Sequence, residues 1–323
     1  MRRRAYHGFF GSTGILALGL TAGWISYVQG GLPAEAIAQI GRGELRYVPA
    51  DANIVAYVNV QDVMLSEFGQ RLHAVETDLG GLRQLQEQTG IDIEADIDQI
   101  VACLIPTSEN TKPNALVVLE GRFDTVRLEE LTRGNGGTIE NYLGTRLLKM
   151  ETGFDEVTMA FMEPGVIALG SDATVRRVLD LPSAGGDVTS NRRLMALMSH
   201  IEGDSNAWAI GQLDDQTALT WLPDEVGSQV SRLTAFAVSG LVNGGVKGSI
   251  RADARDEEAG QNLHNVLQGF LALARMQSGS RPELHGMLDS FRVSIARSTV
   301  TLTFAVPPEI LELLEPNRPD ASR

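Results

Sequence analysis

Leu233-Thr234-Ala235-Phe236-Ala237-Val238-Ser239-Gly240-Leu241-Val242-Asn243-Gly244-Gly245-Val246-Lys247-Gly248-Ser249-Ile250-Arg251-Ala252 is the stretch that decides the fold. Two β-rich runs, Leu233 to Val242 and Val246 to Ala252, are separated only by Asn243-Gly244-Gly245. Asn-Gly at such a junction predicts a hairpin, because both residues tolerate positive φ. A hairpin means antiparallel pairing. The pattern repeats downstream, where Phe291 to Ala296 and Thr299 to Ala305 alternate as a second hairpin. Between them, Leu263, Val266, Leu267, Phe270, Leu271 and Ala274 recur at helical spacing, which predicts a helix from Asp256 to Gln277 with these residues on one face. Pro307-Pro308-Glu309 starts a closing helix, since Pro is tolerated in a first turn.

Upstream, a strand-like run is repeatedly followed by an Asp that opens an amphipathic helix. Ile54 to Val60 leads to Asp62 and then Leu65, Phe68, Leu72, Val75, Leu79 and Leu82, with Gly80-Gly81 as a break. Ala115 to Gly121 leads to Asp124, Val166 to Gly170 to Asp172, and Asn206 to Leu213 to Asp214. Asp suits a helix N-cap because its carboxylate accepts the free N–H groups of the first turn. These acids therefore have a structural task before any catalytic one.

The expected fold class is α+β, with largely antiparallel sheets and packed helices in two similar halves, residues 47–182 and 190–314. The loop Pro182-Ser183-Ala184-Gly185-Gly186-Asp187 divides them, and residues 315–323 form a tail. With 323 residues and 43 % apolar content, the chain has the material for a large core.

The N-terminus adds a separate element. Arg2-Arg3-Arg4 lie in a short basic tail, residues 1–7, followed by an uncharged stretch from Gly8 to Val28. As a helix this stretch spans about 30 Å, the thickness of a bilayer core. Trp24 and Tyr27 suit the far interface, and the basic flank stays in the cytoplasm. The reading is a single-pass anchor in a bacterial inner membrane, a linker at 29–46 and a periplasmic body. The alternative is a cleaved signal segment, with Ala34-Glu35-Ala36 or Ala36-Ile37-Ala38 as the cleavage site and a secreted product.

Net charge is −14, and setting aside Arg2, Arg3 and Arg4 leaves 24 cations against 41 carboxylates. Such a body is no partner for nucleic acid. Its partners are expected to be the membrane, through the N-terminal helix, and a membrane-protein complex. Arg outnumbers Lys 24 to 3, with Lys112, Lys149 and Lys247 the only lysines.

No motif for chemistry stands out. Cys103, in the apolar run Ile100-Val101-Ala102-Cys103-Leu104-Ile105, is a single thiol that reads as buried and makes no disulfide or metal cage. Asp92-Ile93-Glu94-Ala95-Asp96-Ile97-Asp98 places oxygens like a calcium loop. Ile97 stands where that loop needs Gly, though, and Cys103 where it needs Glu. The better reading is a short helix capped by Asp92, then a strand Gln99 to Ile105. His7, His73, His200, His264 and His285 show no ligand spacing. There is no Gly-x-Ser-x-Gly elbow, and no Ser lies three residues before a Lys. Gly244-Gly245-Val246-Lys247-Gly248-Ser249 has only the composition of a phosphate loop. Met195 and Met198, beside Leu194 and Leu197, read as core. Acids are numerous enough for a glycosidase pair, and no pair is singled out. No catalytic, cofactor-binding or metal residue is assigned.

Val48-Pro49-Ala50-Asp51-Ala52 with its strand, Thr89-Gly90-Ile91-Asp92, and Glu120-Gly121-Arg122-Phe123-Asp124 together resemble uncharacterised bacterial membrane-anchored extracytoplasmic proteins. Their bodies open with a "P-A-D-A" strand. The resemblance implies placement outside the cytoplasm and assigns no activity. The expected function is thus a non-enzymatic, membrane-tethered binding or accessory protein. The alternatives are a periplasmic hydrolase whose site assembles only in the fold, and a carrier of lipid or another hydrophobic ligand.

Overall fold

The computed structural model describes residues 42–70, 91–107, 113–151, 156–213, 232–278 and 282–308. The expectations for the Gly8 to Val28 segment, His7, His73, Gly80-Gly81, Asp214 and the closing helix and tail beyond residue 308 lie outside these residues. Among the described residues no helix is long and apolar enough to cross a membrane.

Twelve strands form one sheet, antiparallel at every pairing. They are β1 (Ile54–Asn59), β2 (Ile97–Ile105), β3 (Asn114–Gly121), β4 (Thr138–Tyr142), β5 (Thr145–Glu151) and β6 (Glu156–Glu163). Then come β7 (Val166–Gly170), β8 (Ala207–Gln212), β9 (Leu233–Val242), β10 (Val246–Ala254), β11 (Arg292–Ala296) and β12 (Thr299–Val306). The spatial order is β11-β12-β10-β9-β8-β1-β2-β3-β7-β6-β5-β4. The first seven strands fill one side of the sheet and the last five the other, so β1 and β8 meet at the middle.

That position explains their composition. Ile54 to Val58 and Ala207 to Gly211 are buried throughout, because both faces of a central strand are covered. Successive side chains point to opposite faces. Val55, Tyr57, Val101, Cys103, Leu116, Val118 and Trp208 therefore belong to one core. Val58, Ile97, Leu119, Ile167 and Ala207 belong to another on the reverse side. The first core is closed by α1 (Arg42–Leu45), α5 (Asp172–Ala184), a 3-10 turn (Val188–Ser190) and α6 (Arg192–Met198). The second is closed by α2 (Val60–Leu65), α4 (Thr125–Gly134) and α8 (Pro282–Ser290). A short α3 (Ile93–Asp96) leads into β2, and α7 (Glu257–Gln277) packs against β10, β11 and β12.

Several expectations are corrected. Asp124 caps α4 as expected, accepting from Arg127 N, and Asp256 caps α7, accepting from Ala259 N. Asp62 and Asp172 do not cap: Asn59 caps α2 and Ser171 caps α5, each one position or more earlier. The hairpin at Asn243-Gly244-Gly245 forms, yet none of the three has positive φ. Gly245 suits a close approach instead, since a Cβ there would crowd the Val306 carbonyl oxygen at 3.0 Å. Pro182 lies inside α5, and the dividing loop is tied down: Ala50 N donates to Gly186 O and Val188 N to Val48 O. The expected face of α7 splits. Leu263, Leu267, Leu271 and Ala274 are half-buried, whereas Val266 and Phe270 join Leu273 and Met276 as exposed side chains.

Candidate functional site

A cleft opens on the described surface. It lies where α2, α3 and the end of β3 converge, has a volume of about 470 Å³, and is lined by Gln61, Met64, Leu65, Gln70, Glu94 and Arg122, among others. Asn59 fixes its first wall: Oδ1 accepts from Asp62 N at 2.9 Å, and Nδ2 donates to Asp62 Oδ2 at 2.8 Å. Burial pushes the Asp62 carboxyl above its usual range. Asp92 fixes the second wall by accepting from Glu94 N and Ala95 N. Arg122 closes the cleft, donating from its backbone N to Asp96 O at 2.7 Å and from Nη2 to Ala95 O. Gly121 permits this approach, because a Cβ there would stand 2.0 Å from Asp96 O. Among the described residues the lining holds amides, one carboxylate and one guanidinium, and no Ser, Thr, Cys, His or Lys. The polar part of this described lining is thus two amides, one carboxylate and one guanidinium set among apolar side chains.

Among the described residues the densest charge cluster lies elsewhere, between the β4–β5 edge and α5. Lys149 Nζ is 2.9 Å from both Glu140 Oε2 and Asp172 Oδ1. Arg176 reaches Glu140 Oε1 at 2.7 Å and Asp172 Oδ2 at 2.9 Å, closing a four-membered ring. Arg176 also lies over the Tyr142 ring at 4.5 Å. Arg176 and Lys149 hold the Glu140 and Asp172 carboxyls below their ordinary range, and the two carboxylates raise Lys149. Every charge is matched, so the ring pins an edge hairpin to a helix and presents no free group.

Its pH signature follows. Carboxyls with depressed pKa stabilise the fold above their unfolded value, and that contribution is lost as pH falls through the folded one. The stability difference between wild type and Arg176→Ala, from denaturant midpoints, is expected to be level at neutral pH and to shrink below about pH 4. A difference unchanged down to pH 2 would remove the ring from the account of stability.

The structure separates the other sequence candidates. Asp92 and Asp96 spend their carboxylates on backbone N–H groups. Among the described residues no group of three or more His, Cys, Asp or Glu is placed to hold a metal ion. His285 lies 3.5 Å from Ser278 Oγ at the end of α7. His264 is fourteen residues back along that helix, about 21 Å by helical rise, so the two do not meet. His200 is exposed after α6. Cys103 is buried in the sheet, and burial pushes its thiol far up, away from reactivity. Lys247 stands exposed on β10, in a hairpin and not a phosphate loop. Met195 and Met198 pack against the first core.

The sequence reading missed the β4–β5–β6 edge and therefore the charge ring. Its signal was the Leu143-Gly144 turn, where Leu143 adopts φ 51° and Gly144 φ 85°. A Leu in the left-handed region does not look like a turn residue.

The molecule is thus a mixed helix–strand protein built on a large antiparallel sheet. No family model matches the chain, and no curated protein matches it. Two solved structures are similar to it, both of TP0453. Crystal form III has 8 % identity and a TM-score of 0.48, over 84 % of this chain and 97 % of that one. Crystal form IV has 9 % identity and a TM-score of 0.46, over 85 % of this chain and 100 % of that one. Likeness at this level bears on neither activity nor site residues.

Proposed function

We propose that the chain is a membrane-tethered binding or accessory protein whose body works in the bacterial periplasm without catalysis of its own. The observation that carries this reading is Arg2-Arg3-Arg4 followed by the uncharged stretch Gly8 to Val28. The α2–α3 cleft supports it, since its Arg122, Glu94 and amide groups suit recognition and not group transfer. The strand order supports the finer reading of two similar halves. Counted from the middle, β1-β2-β3-β7-β6 and β8-β9-β10-β12-β11 run in the same sequence, and β4–β5 is an added hairpin in the first.

The test uses membranes of the native host, solubilised in mild detergent. The protein is captured by a C-terminal tag, and mass spectrometry identifies its N-terminal peptide and its companions. An intact N-terminus with a stoichiometric membrane-protein companion is expected. A chain beginning after Ala36 or Ala38 and arriving alone would sink the tether. A second reading, a carrier of an apolar ligand, is favoured by the exposed Phe270, Leu273 and Met276 on α7. A small apolar molecule co-purifying in that preparation would decide for it.

A further inference from the structure

β11 ends the sheet, and its pairing with β12 fixes which of its backbone groups are spoken for. Ala296 and Thr299 flank a two-residue turn, Arg297-Ser298, with Arg297 at φ 56°. The residues flanking such a turn are hydrogen-bonded to each other, and bonded pairs then alternate. Ser294 and Arg292 thus also bond inward, opposite Thr301 and Thr303. The N–H and C=O of Val293 and Ile295 point outward, and among the described residues no strand pairs with that side. An edge of this kind is a template for another strand, and proteins usually guard it. β11 has no Pro and no bulge.

Its two faces have opposite chemistry. Val293 and Ile295 lie opposite Leu302 and Val300, on the second-core side. Arg292 and Ser294 lie on the reverse face, in register with Thr303 and Ser249 and with Thr301 and Arg251. Across β10, β11, β12 and their turn the charges are Lys247, Arg251, Arg292 and Arg297 against Asp253 alone, in a chain of net charge −14. Asp253 is already engaged, by Arg251 at 3.1 Å and by the Thr299 hydroxyl at 2.6 Å.

We propose that β11 is a strand-addition edge for an extended segment of a partner protein in which acidic and apolar residues alternate. Main-chain bonds to Val293 and Ile295 hold the segment, its apolar side chains continue the Val293–Ile295 face, and its carboxylates meet Arg292 and Arg297. A second copy fits less well. Antiparallel self-pairing of β11 would bring Arg292 of one strand to the Arg297 end of the other, with no carboxylate on either strand. This names a partner class for the binding protein proposed above, but it rests on the edge strand and not on the membrane segment.

The test is fluorescence anisotropy with the full-length chain in mild detergent and a labelled hexapeptide of alternating Glu and Val. Saturable binding is expected, weakened by salt and weaker by at least about tenfold for the Lys–Val counterpart. Val293→Pro removes an N–H that the sheet does not use, so binding is lost while the protein still folds, with a melting temperature lowered by the lost Val293 packing alone. Arg292→Glu, a surface change, reverses the preference between the two peptides. Failure of the Glu–Val peptide to bind, or equal binding by a folded Val293→Pro protein or by Arg292→Glu, overturns the proposal. A dimer in light scattering that Val293→Pro dissolves gives the edge to a second copy and overturns it too. Because the peptide assay does not depend on the tether, a cleaved N-terminus leaves its result intact.

Discussion

Trp208→Ala lowers the free energy of unfolding by about 4 kcal/mol, near the top of the range for buried aromatic truncations. Trp208 sits at the centre of the sheet on β8 and is 1 % exposed. It lies directly opposite Tyr57 of β1, with ring centroids 5.6 Å apart and planes 21° apart. Its neighbours along the strand, Ala207 and Ala209, are small and point to the other face, so neither can fill the gap. The stack holds the two sides of the sheet in register, and Tyr57 is itself fixed by donating to Gln99 Oε1 at 2.7 Å. Guanidinium denaturation at neutral pH measures the loss, and a melting temperature lower by about 10 °C should accompany it. The Trp208→Ala, Tyr57→Ala double variant should show a coupling of about 1 kcal/mol between the rings. A loss under 2 kcal/mol for Trp208→Ala would mean that the middle of the sheet is not where stability is concentrated.

Gly121→Ala should be comparably severe, about 3 kcal/mol, for the opposite reason: an atom is added where there is no room. The new Cβ would lie 2.0 Å from Asp96 O and 2.9 Å from the Ile97 Cα. Both are backbone atoms, so no side chain can rotate out of the way. Either β3 or the α3–β2 junction must move, and with it the 2.7 Å bond from Arg122 N to Asp96 O that closes the cleft. The register irregularity of β2 between Ile97 and Gln99 sits opposite this glycine. Gly134→Ala is the control, because a Cβ at the end of α4 meets nothing within 4 Å. That change should be neutral, or stabilise by up to about 1 kcal/mol through helix propensity. The contrast between the two alanines in thermal melts is the readout, and equal melting temperatures would refute the steric account.

The antiparallel architecture was legible because its signals are local. Asn243-Gly244-Gly245 between two apolar runs specified β9–β10, and the alternation from Thr299 to Ala305 specified β12. The run of Asp residues was only half informative. A residue type names a good cap but not its position, so Asn59 and Ser171 took the caps assigned to Asp62 and Asp172. Asp172 instead joined Lys149, Glu140 and Arg176, three residues whose closeness depends on β4–β5 folding back toward α5. No local pattern carries that. The cleft was equally hidden, since Gln61, Glu94 and Arg122 come from three separate stretches of chain. That β11 is an edge among the described residues was hidden for a further reason, because which strand ends a sheet is a property of strand order alone.

The central place of β1 also sets a timetable. Its neighbour β8 begins at Ala207, 148 residues after β1 ends at Asn59. At ordinary rates of synthesis those residues take about 7 to 30 s to appear. Through that interval Ile54-Val55-Ala56-Tyr57-Val58, all buried in the finished sheet, has an uncapped side. The nascent chain therefore passes through a window in which this central edge is open, and a holdase acting on it should matter most before Trp208 has been made.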